Sequence, residues 1–252
     1  MLDFIKKYWK TILFFTLIGL IGGFFIGLYM LDSYPAEIRQ EILDQGINDI
    51  MLGVITGVQT AGYGLVLSFI GIWLAKAIGL WKDELTITKK PLIITIIVSI
   101  IGGLLLILPD ILFFGHYSEA IMNSYAVKPT ISYLLATVTY AAIIEEVMIR
   151  LFFMSLIAWI LHKLFGKKKE KPTTLVFVVS NIVSALFFAA GHLPTTAILL
   201  GITPMILFRC FLLNGVFGAL FGYLYRKFGL RYAMIAHGGC HIVSKLIWIL
   251  FI

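Results

Sequence analysis

The sequence predicts an all-α fold: a polytopic transmembrane helix bundle of about seven spans, or eight with a re-entrant segment. Three observations carry this. Of the 252 residues, 60% are hydrophobic and 13% charged, against roughly 45–50% and about 25% in soluble domains, and the mean hydropathy is +1.00. Apolar runs recur at the length of about 20 residues that a bilayer-crossing helix needs. Cations cluster beside those runs, as in proteins that fix their orientation by the charge of their loops.

The first apolar run, Thr11 to Leu31, follows Lys6, Lys7 and Lys10. It is too long for the apolar stretch of a signal peptide, and no clear small-residue cleavage site follows, so it is read as a retained span. Asp32–Asn48 is polar and broken by Pro35, a loop that ends in a surface helix. Span 2 covers about 55–79, and Trp81–Lys90 is a polar linker. Span 3 covers about 91–112, with Gly102, Gly103 and Pro109 inside it. After a mixed stretch, Gly115–Pro129, span 4 runs from about 131 to 162, long enough to tilt or protrude. The run Lys167–Lys171 before Pro172 is a solvated linker. Span 5 covers 174–192, Leu193–Pro204 is a short link, and spans 6 and 7 cover 205–225 and 232–252.

Alternating these spans from a cytoplasmic N-terminus puts fifteen of the twenty cations on the inner side and only Arg39 and Lys128 on the outer. That asymmetry satisfies the positive-inside rule and places the chain in the cell membrane as a multi-pass protein. The net charge of +7 is therefore topological. No basic stripe interleaved with aromatic residues marks a nucleic-acid surface. Cys210 and Cys240 lie inside apolar segments and form neither a CxxC pair nor a disulfide framework, so both read as small buried residues.

Arg150, Arg209 and Lys245 fall inside spans, where a charge costs at least about 2.5–3.5 kcal/mol and marks a functional candidate. Span 4 carries Glu145, Glu146 and Arg150. Glu146 and Arg150 are four residues apart and share a helix face, with the acid N-terminal to the base. On an α-helix Glu145 points about 100° away from Glu146, so the two carboxylates cannot both face one partner, and Glu145 is left for another direction. A carboxylate tuned by burial and nearby cations can serve as a general base. His192 ends span 5, one turn beyond Phe188. In span 7 His237 and His241 share a face, with Gly238 and Gly239 between them thinning the helix for the approach of another backbone or a substrate. Lys245 continues that face, to snorkel or to pair with an acid. Arg209, near the outer end of span 6, is open to the same two fates.

Together the sequences Glu145-Glu146-Val147-Met148-Ile149-Arg150, Phe188-Ala189-Ala190-Gly191-His192 and His237-Gly238-Gly239-Cys240-His241 resemble the CAAX-processing and bacteriocin-processing (CPBP) family of intramembrane endopeptidases. That family shows EExxxR, FxxxH and then HxxxN or HxxxD on successive helices. The approach to the third motif is similar too, with Asn214-Gly215, Gly218, Gly222-Tyr223, Gly229-Leu230 and Ala233 to His237. The resemblance implies a protease core over 130–252, preceded by three transmembrane helices over 1–129. It implies that Glu145 activates a water with help from His192, that Glu146 pairs with Arg150, and that His237 and residue 241 stabilise the oxyanion. Position 241 departs from the pattern, since it is His rather than Asn or Asp.

The resemblance leaves a metal open. No HExxH zinc-protease helix is present, and the reading taken is metal-free. A zinc ion is the alternative, held by Glu145, His192, His237 and His241 if they converge. A straight span 5 would put His192 near the outer end, with His237 only about one and a half turns from the inner end of span 7. A shared site then requires span 5 to tilt or move inward, or 193–204 to dip into the membrane beside a protein cavity. The function expected is hydrolysis of a peptide or membrane-anchored protein substrate. The alternatives are a non-enzymatic immunity or binding protein of the same fold and a proton-coupled transporter. Against the last, no broken helices occur in matching halves.

Overall fold

The computed structural model describes residues 1–83, 86–166 and 171–252. Most of the cationic run from Lys167 lies outside them. The chain opens with α1 (Leu2–Ser33), the short α2 (Ala36–Asp44), α3 (Asp49–Ala77) and α4 (Lys89–Leu112). A 3-10 turn (Phe114–His116) and α5 (Glu119–Tyr125) lead into a helical rod. The rod comprises α6 (Ile131–Ala136), two π-helical stretches (Thr137–Glu145 and Val147–Met154) and α7 (Ser155–Phe165). Then come α8 (Thr174–Gly191), α9 (Leu193–Leu200), α10 (Pro204–Phe228) and α11 (Leu230–Phe251).

Several helices begin where a side-chain oxygen can satisfy a free backbone N–H. Asn48 accepts from the Met51 N–H at 2.9 Å to start α3. Thr130, Thr173 and Thr203 do the same for α6, α8 and α10. Gly229 alone joins α10 to α11, at a φ of 108° that favours glycine.

Burial is inverted relative to a water-soluble protein. α4 turns Ile93, Ile96, Ile97, Ile100 and Leu104 outward and buries Thr95, Ser99, Gly102, Gly103 and Asp110. In water such an aliphatic face is an aggregation surface. In lipid, large side chains gain nothing by turning inward, whereas small ones let helices approach closely. Between α1 and α3, Thr56 Oγ1 donates to the Gly23 carbonyl at 2.7 Å. A Cβ on Gly23 would lie 2.5 Å from Thr60 Oγ1, so the approach requires glycine there. Six helices (α1, α3, α4, α8, α10 and α11) are long and apolar enough to cross a bilayer. With the rod they make the seven long runs read from the sequence. The chain is an all-α polytopic helix bundle and a multi-pass membrane protein.

The rod is the centre of the bundle. Its π-helical stretches contact α1, α3, α8, α10 and α11, and Ile144, Val147, Leu151 and Met154 are fully buried. The link after span 5 is itself helical, since Pro194 suits the first turn of α9.

Candidate active site

The rod carries the acids and the arginine. Glu146 and Arg150 are 0% and 1% exposed, and Arg150 Nη1 lies 3.0 Å from Glu146 Oε1. Arg150 Nη2 donates to the Gly218 carbonyl at 3.1 Å. The guanidinium also lies over the Phe188 ring at 4.5 Å, with Phe221 at 5.6 Å. A buried charge is tolerated only when it is paired and hydrogen-bonded, and Arg150 takes those partners from three helices.

His237 connects this pair to Glu145. Its Nδ1 lies 2.9 Å from Glu146 Oε1, and its Nε2 lies 3.9 Å from Glu145 Oε2. The expectation that adjacent carboxylates cannot share a partner is therefore corrected. The rod is π-helical here, bonding i to i+5, so successive residues are separated by less than the α-helical angle. An imidazole also has a nitrogen on each side, one for each acid. Glu146, already paired with Arg150, is an acceptor, so Nδ1 carries the hydrogen and Nε2 turns its lone pair towards Glu145. The ring is held by stacking, with Phe221 at 4.7 Å on one side and His241 at 5.1 Å on the other.

His192 joins through Phe188. Its Nδ1 is 2.9 Å from the Phe188 carbonyl, which can only accept, so Nε2 is again the free lone pair. The Phe188 ring lies 4.7 Å from His192 and 6.0 Å from His237. Phe188 lies in the last turn of α8 and His192 caps its C-terminus, so this one helix end sets the Phe188 ring beside both histidines.

Glycine between the histidines serves helix packing. A Cβ on Gly239 would collide with the Ser99 side chain of α4, and one on Gly238 would lie 3.0 Å from Ala142 Cβ. Three polar atoms of the cluster, Glu146 Oε2, Arg150 Nη1 and His241 Nδ1, are buried without a hydrogen-bond partner among the described residues.

Zinc ligands must converge to about 2.0–2.2 Å around one point. Among the described residues no group of three or more His, Cys, Asp or Glu side chains is placed to hold a metal ion. Of the conditional set Glu145, His192, His237 and His241, Glu145 and His237 approach to 3.9 Å, His241 stacks on His237 with ring centroids 5.1 Å apart, and the Phe188 ring lies 4.7 Å from His192 and 6.0 Å from His237. The donors do not fit zinc as arranged.

Residues 127–243 match the family model of the type II CAAX prenyl endopeptidase Rce1-like proteins. This part of the chain is similar to that family. No match was found among curated proteins or among solved structures. The matched stretch contains Glu145, Glu146, Arg150, His192, His237 and His241, and it agrees with the CAAX-processing resemblance of the three motifs.

Two further cations lie inside the spans of this Rce1-like stretch and its neighbour helices. Arg209 does not snorkel: its guanidinium grips both carboxylate oxygens of Asp110 on α4, and Tyr125 donates to the same carboxylate at 2.8 Å. Asp110 is 1% exposed, and a reading that weighed chiefly the cations inside spans passes over it. The available signal was an acid inside span 3 with no cation near it on its own helix, together with Arg209 lacking an acid on its own. Lys245 pairs with no acid among the described residues. Its ammonium lies over Tyr133 at 4.6 Å, with Trp248 at 5.7 Å.

Proposed function

We propose that the chain is an intramembrane endopeptidase that hydrolyses a peptide bond of a membrane-associated or secreted peptide with a water activated by Glu145. The observation that supports it best is the buried relay Arg150–Glu146–His237–Glu145 inside the Rce1-like segment. A gap of 3.9 Å between His237 Nε2 and Glu145 Oε2 is too long for a direct hydrogen bond, and one water bridges such a separation. Both flanking atoms accept, so that water donates to each and turns its lone pair towards the carbonyl carbon. Glu145 takes the proton as the oxygen–carbon bond forms. His192, with Nε2 free, assists. The carbonyl oxygen becomes an oxyanion and accepts from His241 Nδ1–H. His237 Nε2 goes on accepting from the hydrogen that stays on the attacking oxygen, and takes it up when the carboxylic acid product ionises. The carbon–nitrogen bond then breaks, and Glu145 returns the proton to the leaving amine.

Residues 130–252 form the protease core and residues 1–129 an N-terminal unit that packs against it. The N-terminus is cytoplasmic and the membrane is the cell membrane, on the distribution of cations. The substrate is a peptide or a membrane-anchored protein, and prenylated peptides belong in the panel because of the family's name.

The test is cleavage of such a panel by purified protein beside Glu145→Gln and Glu145→Ala of matched yield and thermal unfolding. General base catalysis contributes about 10²–10⁴-fold, and both variants are expected to lose activity on that scale. Cleavage by Glu145→Gln at the native rate overturns the assignment. Tight peptide binding without cleavage by the native protein would favour the immunity or binding protein.

A further inference from the structure

Away from the acids and histidines, a cavity of about 540 Å³ opens at the end of the bundle where α1 begins, α3 has ended and Gly229 turns α10 into α11. Lys7, Lys10, Lys82 and Arg231 line it, with Asp83 as its one acid among the described residues. That carboxylate is already saturated, accepting from Lys7 Nζ at 2.8 Å, the Tyr8 hydroxyl at 2.7 Å and Trp81 Nε1 at 2.8 Å. Lys10, Lys82 and Arg231 have no carboxylate partner among the described residues. Lys82 donates to the Lys227 carbonyl at 2.6 Å and Arg231 to that of Thr86 at 3.0 Å. Carbonyls position these two cations without neutralising them. Partial burial, and after it the nearby Arg231, push the Lys82 ammonium below its ordinary range, as expected where like charges crowd.

Deeper in, the wall changes character to Phe14, Phe15, Leu80 and Met234. Phe15 and Leu80 are buried, while Phe14 is 51% exposed on the outer face of α1, so the apolar part opens sideways, where lipid chains lie. One end of the cavity thus suits an anion and the other a hydrocarbon chain. Basic pockets between transmembrane helices bind anionic lipid headgroups.

We propose that this cavity binds an anionic phospholipid, with its phosphate among Lys10, Lys82 and Arg231 and the start of one acyl chain along Phe14 and Met234. The site is separate from the acid–histidine cluster and stands whether or not that cluster is catalytic.

The test is native mass spectrometry of the full chain in detergent with equal amounts of phosphatidylglycerol and phosphatidylcholine. The native protein is expected to retain phosphatidylglycerol preferentially. Lys10→Gln and Arg231→Gln should each weaken that preference about fivefold, corresponding to about 1 kcal/mol per cation near a membrane surface. Lys89→Gln/Lys90→Gln, which removes two cations outside the cavity lining, should leave it unchanged. Thr11→Trp fills the cavity without altering charge and should lower retention of phosphatidylglycerol. Thr11→Phe replaces it if the larger side chain lowers the unfolding temperature. Three results would each overturn the proposal: equal retention of the two lipids, an equal loss in Lys89→Gln/Lys90→Gln, or retention unaffected by filling.

Discussion

Replacing Arg150 with Met tests whether the buried pair is the structural anchor of the cluster. Arg150→Met keeps a long unbranched side chain but leaves Glu146, 0% exposed, without its counter-charge. Breaking a buried ion pair from one side costs about 3–5 kcal/mol. The contacts with Phe188 and Phe221 add up to about 2 kcal/mol for a desolvated cation–π pair. The double variant Arg150→Met/Glu146→Gln removes both charges, and its new amide oxygen still accepts from His237 Nδ1. It is expected to recover to within about 1 kcal/mol of the native protein, because a buried pair replaced whole is often neutral. Thermal unfolding in one detergent reads both. At about 2–4 °C per kcal/mol for a chain of this size, the single variant falls by about 6–28 °C and the double by only a few degrees. A single variant as stable as native, or a double variant no better than the single, refutes the anchoring argument.

Three further outcomes are expected. His241→Asn restores the family's usual residue and keeps a donor, so peptide cleavage stays within about tenfold of native, whereas His241→Ala loses about 10²–10³-fold as for an oxyanion donor. Native-rate cleavage by His241→Ala would end the donor assignment. Asp110→Asn leaves Arg209 without its counter-charge and costs about 3 kcal/mol in denaturant unfolding, most of it recovered in Asp110→Asn/Arg209→Gln. An undiminished stability in the single variant would mean that the α4–α10 bridge carries no weight. Asp83 is held down to about 2 from 3.8, chiefly by the Lys7 hydrogen bond and also by those of Tyr8 and Trp81. Its folded value is depressed, so its contribution is present above about pH 4 and is lost as the pH falls towards 2. Asp83→Asn should abolish that part of the stability–pH profile, and an unchanged profile would contradict it.

Much of the bundle is legible in the sequence because lipid imposes a simple rule: long apolar runs become helices. From span 3 onward the helix ends fall within about three residues of the expected ones, while α1 and α3 begin nine and six residues earlier than spans 1 and 2; Asn48, Thr130, Thr173 and Thr203 are local caps that need no tertiary information. The Glu146–Arg150 pair is equally local, four residues apart on one helix. Asp110 and Arg209 are a different case. They are 99 residues apart in sequence, and each looks like an isolated charge until α4 and α10 are placed side by side.

What the sequence by itself determined is the membrane-spanning helical class, the number of long apolar runs, and which residues carry the acids, the arginine and the histidines. These follow from composition and spacing within single helices. Only the tertiary structure decided which of those residues meet. The π-helical turns of the rod bring Glu145 and Glu146 to a single histidine, and the packing of α8 on the rod and α10 sets Phe188 beside Arg150 and His237. Convergence depends on how helices wind, lean and approach, and those are set by contacts between residues far apart in the chain, which spacing along one helix does not encode.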